Sequence, residues 1–125
     1  MRQPWAEELE ITASGALEEF ERRLARNDYP VLALWEMGLR RLRVPIQDIT
    51  NDRIRERMEI LASGGHQFQV YCYGVPGGAL AACLLEHSHL VDIIEIVIGW
   101  DTADDAVNQI AKLKEQADFR VYLSC

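Results

Sequence analysis

The chain has 125 residues, 49 % hydrophobic and 26 % charged, which suffices for one domain with a buried core and excludes a disordered or disulfide-dependent chain. Its net charge of −7 excludes the basic stripe that nucleic acid or an anionic membrane surface requires, and no apolar run reaches the roughly 18 residues of a membrane span. Three cysteines at spacings that match no ligand motif, with Cys72 and Cys83 in apolar runs, predict buried reduced thiols in a cytoplasmic protein with no metal and no cofactor.

Residues 1–11 carry Trp5, Leu9 and Ile11 among acidic residues and read as an arm or a short extended piece. Residues 12–38 read as a helical lead-in. Leu17, Phe20 and Leu24, with Ala16 and Ala25, recur at helical spacing and predict a helix from Gly15 to Arg26, with Thr12 and Ser14 as cap candidates. Pro30 opens a second helix through Met37, closed by Gly38.

From residue 39 onward the pattern is a repeat of strand and helix. Arg41 to Ile46 reads as a strand, Asp52 to Ala62 as a helix capped by Thr50 or Asn51 and stopped at Gly64-Gly65, and His66 to Tyr73 as the next strand. Gly78 to His89 is a small-residue helix expected to pack closely through Ala79, Ala81 and Ala82. Ile93 to Trp100 is an almost wholly apolar strand, Ala103 to Gln116 a helix capped by Thr102, and Arg120 to Cys125 the last strand. Helices of this length between strands require parallel pairing. The expected fold is therefore one α/β domain over 1–125 with a four-stranded parallel sheet of successive βα units. Sequential strand order would put every helix on one face, as in half of a (β/α) barrel, and make the chain part of a larger barrel or protein.

Counting the strands at period two sorts their side chains. One set, which includes Leu42, Val44, Phe68, Val70, Cys72, Ile94, Ile96, Ile98, Trp100, Val121 and Leu123, is the face that helices must cover. The other includes Arg41, Arg43, Gln69, Tyr71, Tyr73, Glu95, Arg120, Tyr122 and Ser124. A parallel sheet is ordinarily apolar on both faces. A polar second face suits a barrel interior or a solvent-lined groove, with Glu95 expected to pair with Arg120 or Gln69. It serves either as a ligand-lined mouth or as an ion-pair network that only fills the barrel.

Ligands in parallel α/β sheets bind beyond the carboxyl ends of the strands, which selects Gln47, Asp48, Tyr73, Gly74 and Asp101. Asp48 and Asp101 are the candidates to act together as acid and base or to hold a cation, each also placed to act as a turn or cap residue. The loop from Gly74 through Gly77 and Gly78 leads from strand to helix, where backbone amides take a small anion, or else it is a plain turn; it lacks the G-x-G-x-x-G and P-loop patterns. His66 lies at the far end of its strand, and His87 and His89 are two apart and share no helical face, so all three read as structural.

The phrases Gly38-Leu39-Arg40-Arg41-Leu42-Arg43-Val44-Pro45-Ile46, Gly64-Gly65-His66-Gln67-Phe68 and Val91-Asp92-Ile93-Ile94-Glu95-Ile96 resemble consecutive units of a TIM barrel over about residues 38–125. More faintly, they are similar to barrel-like regions that accompany calcineurin-type metallophosphoesterases. None of that family's metal motifs (D-x-H, G-N-H-[DE], G-H-x-H) occurs here. The resemblance implies a scaffold or substrate-surface region of a larger enzyme such as a hydrolase. The alternative is a free-standing module, without catalysis, that binds a ligand or forms a homodimer through open sheet edges.

Overall fold

The computed structural model describes residues 8–11, 23–26, 28–100 and 103–124. They fall into two compact units divided between Leu39 and Arg40. In the first unit, β1 (Glu8–Ile11) pairs antiparallel with β2 (Arg23–Arg26), and α1 (Tyr29–Glu36) follows with Pro30 in its first turn and Gly38 at φ +70° just beyond it. The helix expected over Gly15 to Arg26 is corrected here: Arg23–Arg26 is a strand, and residues 15–22 lie outside the described residues. Leu24 and Ala25 continue a helical stripe and do not alternate as a half-buried strand would, and pairing with Glu8–Ile11 overrides that local pattern. In backbone register Glu8 pairs with Arg26 and Glu10 with Leu24.

The second unit holds the repeat. Its order is β3 (Arg41–Pro45), α2 (Gln47–Thr50), α3 (Asp52–Ser63), β4 (Gln67–Tyr73), α4 (Gly78–Glu86), a 3₁₀ turn (Ser88–Leu90), β5 (Val91–Val97), α5 (Ala103–Lys114) and β6 (Arg120–Ser124). The four strands lie side by side in sequence order, β3-β4-β5-β6, and every pair is parallel. The expected α/β class and four-stranded parallel sheet are as observed, and the sheet is open, not a closed barrel.

One face of this sheet makes the core. Val44, Phe68, Val70, Ile94 and Ile96 are fully buried, and Met58 and Leu61 of α3, Leu84 of α4 and Ala106, Ile110 and Leu113 of α5 come down onto them. The spacing 106, 110, 113 is one helical stripe, so α5 buries a single face. Each fully buried Ile or Phe contributes about 2 kcal/mol by leaving water. α4 departs from expectation, since Ala79 and Ala82 are exposed and the helix is anchored by Leu84.

Helix ends follow their capping chemistry. Asn51 takes the cap of α3, its Oδ1 accepting the Ile54 N–H at 3.2 Å. At the other end Gly65 adopts φ +89°, so that its N–H reaches Ala62 O at 2.9 Å and the His66 N–H reaches Leu61 O at 3.1 Å. That reversal, which a side chain at residue 65 would oppose, sends the chain straight into β4. His66 is buried at that end, with Nδ1 3.2 Å from Leu61 O.

Several boundaries differ from the pattern read in the sequence. β5 stops at Val97, three residues short of the expected end at Trp100, so Trp100 is exposed and not part of the helix-covered face. α4 ends at Glu86, leaving His87 as its C-cap residue and His89 in the 3₁₀ turn, where Nε2 meets Glu59 Oε1 at 2.8 Å. Leu123 is the register partner of Ile96 on the helix side, yet it is 46 % exposed where Ile96 is fully buried.

Candidate functional site

The polar face is assembled by register. Parallel pairing places Arg43 beside Gln69, Gln69 beside Ile93, and Ile93 beside Arg120; one layer on, Pro45, Tyr71, Glu95 and Tyr122 are neighbours. Glu95 is the hub. Its Oε2 accepts from Arg43 Nε at 2.8 Å and from Gln69 Nε2 at 2.9 Å, and its Oε1 accepts from Ser124 Oγ at 3.2 Å. Arg43 therefore spans β4 to reach β5, and its guanidinium carbon lies 4.1 Å from the Tyr71 ring centroid. The Arg43 hydrogen bond holds the Glu95 carboxyl below the usual range against the opposing effect of partial burial, with Gln69 and Ser124 adding to it.

Of the two partners expected for Glu95, Gln69 holds it and Arg120 does not. Arg120 gives both hydrogen bonds of its Nη2 to Asp92, at 2.6 and 2.7 Å, and Arg41 Nη2 joins the same carboxylate at 3.2 Å. The cause is a register shift. Phe68 pairs with Val91 and Gln69 with Ile93, so Asp92 is an extra residue in β5, and its carboxylate reaches the arginines of the polar face. Counting at period two assigns Asp92 to the helix-covered side. The sign that was there to read is the charge itself, an aspartate at a position the pattern reserves for the core.

At the carboxyl ends of β4 and β5 there is a cavity of about 280 Å³ lined by Gly74, Val75, Ile98, Asp105, Ala106 and Gln109. Gly74 takes φ +75° there, and its N–H closes on Val97 O at 2.8 Å. This is the end of the sheet at which a ligand is expected. Of the sequence candidates only Gly74 lines the cavity. Ile98, Asp105, Ala106 and Gln109 were not singled out, although Asp105 and Gln109 are one turn apart on α5 and so share the face that overlooks the strand ends.

Asp48 stands apart from both constellations. α2 turns it inward after β3, it is only 7 % exposed, and its Oδ2 has no hydrogen-bond partner. Burial alone pushes this carboxyl up to about 6 from 3.8. Neighbouring donors go elsewhere: Arg55 Nη1 and the Cys83 thiol both point to Ile49 O, at 2.8 and 3.8 Å. A buried carboxyl that titrates near neutrality is chemically suited to take and return a proton. Its proposed companion, Asp101, lies outside the described residues.

The remaining candidates are dispersed. Gln47 is exposed at the start of α2, and Tyr73 ends β4 with its ring edge-on to Tyr71 at 6.2 Å. Gly77 precedes α4, and Gly78 opens it at φ +55°. Added Cβ atoms at Gly74, Gly77 and Gly78 would meet nothing within 4 Å, so the loop is open above its backbone. Among the described residues no group of three or more His, Cys, Asp or Glu is placed to hold a metal ion. No described helix is long and apolar enough to cross a membrane.

No family model matches this chain, and neither curated proteins nor solved structures gave a match.

Proposed function

We propose that residues 40–124 serve as part of a larger (β/α) barrel, lending scaffold and substrate surface to an enzyme of hydrolytic type, in a reducing cytoplasmic setting that suits the free thiols of Cys72 and Cys83. The observation that carries this reading is the contrast between Ile96, fully buried, and its register partner Leu123, which is 46 % exposed on the same side of the sheet. Tyr122 is likewise exposed on the other side, so β6 is unfinished on both faces as well as along its edge. A further strand with its helix would cover all three, and the arginine, glutamine and carboxylate network then lines the polar inside of a barrel, with Arg43 left half exposed at its surface.

A second reading has the β6 edge meet another copy of the chain. Antiparallel two-fold pairing centred on Tyr122 would set Arg120 opposite Ser124 and Val121 opposite Leu123, so no like charges meet. Light scattering together with amide exchange separates the two. The scaffold reading expects a monomer whose outward β6 amides exchange far faster than those of β5. Twice the monomer mass with protected β6 amides selects the copy pairing. A monomer with β6 as protected as β5 overturns both.

A further inference from the structure

The polar face reverses the sign of the protein locally. Its network sets Arg41, Arg43 and Arg120 against only Asp92 and Glu95 on a chain of net charge −7. Within it Arg43 is fixed from two directions. Its Nε is held by Glu95 at 2.8 Å, and the flat of its guanidinium lies over Tyr71 at 4.1 Å. Glu95 cannot swing away, because Gln69 and Ser124 hold it as well.

A guanidinium uses one edge for Nε, and its two Nη groups form a second, coplanar pair of donors. In Arg43 that pair has no partner among the described residues, and the side chain is 52 % exposed. The donors are thus oriented in advance and open to water, so that an oxyanion meeting them in bidentate fashion need not first order a flexible side chain. Tyr73 stands close by. Its ring packs edge-on to Tyr71, the ring that Arg43 covers, and it is 82 % exposed at the carboxyl end of β4. A ring so exposed at the end of a strand leaves a flat aromatic surface without a cover.

We propose that Arg43 and Tyr73 form a binding site for a small aromatic anion, whose carboxylate or phosphate sits on the Arg43 Nη pair while its planar ring packs on Tyr73. This deepens the substrate-surface reading by naming a ligand class. The two anion types share the bidentate chemistry, and the aromatic part follows from Tyr73.

The test is an NMR titration of the purified full chain at low salt, following the Arg43 Nε–H and Tyr73 ring signals. Benzoate and phenyl phosphate are the probes, with cyclohexanecarboxylate and inorganic phosphate as controls. Saturable shifts at both residues, with Kd on the order of 1 mM, are expected for at least one aromatic probe, and the one that binds identifies the anion. Arg43→Lys keeps the charge but loses the fork, and should weaken binding about tenfold. Tyr73→Leu, at an exposed site that leaves folding untouched, should erase the preference for phenyl phosphate over inorganic phosphate or for benzoate over its saturated counterpart. Shifts that never saturate, that are unchanged in Arg43→Lys, or that the saturated control reproduces would overturn the site. This readout is independent of the mass and exchange measurements on β6, so failure of the scaffold reading and failure of the anion site are separately visible.

Discussion

Arg43 Nε donates to Glu95 Oε2 at 2.8 Å from two strands away, across the whole width of β4. The contact ties β3 to β5 without using the backbone ladder, and Gln69, on the strand between, closes onto the same oxygen. Three strands are thus fastened by one carboxylate, and Ser124 brings in the fourth.

Glu95→Gln should therefore cost about 1 kcal/mol at pH 7 in a urea melt, a moderate figure because Arg43 is half exposed and screened by water. The pH dependence follows from the lowered carboxyl. Stability contributed by Glu95 is present above the unfolded glutamate value and is lost as pH falls through the still lower folded value. Wild type and Glu95→Gln should converge in acid, and a constant difference down to the acid transition would contradict the pairing.

Asp48→Asn should act in the opposite sense. A carboxyl raised to about 6 in the folded state costs stability wherever the unfolded state would ionise it, so the wild type loses stability as pH rises from about 4 to 6. The amide removes that cost and should stabilise the protein by about 2 kcal/mol at pH 7.5, with no gain below pH 4. Chemical melts at the two pH values check this, and an equal effect at both would show that Asp48 is not buried as a charge.

Gly65→Ala should cost about 1 kcal/mol, although the new Cβ would touch nothing within 4 Å. The strain is in the backbone at φ +89° and not in the packing. Gly64, at φ −84°, should accept alanine without loss, so the pair forms an internal control in thermal melts.

Cys72 should resist alkylation in the folded protein at pH 8. Burial, reinforced by the negative charge of Glu95, pushes its thiol up to about 11, and only the thiolate reacts. Peptide mass spectrometry after brief iodoacetamide treatment should find residue 72 unmodified until the chain is unfolded.

The repeat of strand and helix, the stop at Gly64-Gly65 and the polar face were legible because each rests on local chemistry: alternation at period two, a left-handed glycine, caps. What was not legible depends on partners distant in sequence. Leu24 and Ala25 continue a helical stripe, and only the ladder with Glu8–Ile11 makes Arg23–Arg26 a strand. The partner of Arg120 depended on a register shift in β5 that no period reveals. The cavity could be assigned to the right end of the sheet but not to its lining, since Asp105 and Gln109 reach it through the docking of α5. Asp48 was found by position, while its orphaned Oδ2 is a property of packing alone.

The extra residue in β5 also gives that strand a reserve of length. On either side of Asp92 the alternation runs as though the residue were missing: Val91 keeps step with Phe68, and Ile94 with Val70. Loss of Ile93 can therefore be absorbed by straightening the strand, because Asp92 moves into line beside Gln69 and Ile94 onward keeps its face. The same straightening draws the carboxylate out from between Arg41 and Arg120 and leaves two cations without their shared anion. Tolerance to a lost residue and charge balance across the sheet are in this way vested in one aspartate, and a variant that uses the first gives up the second.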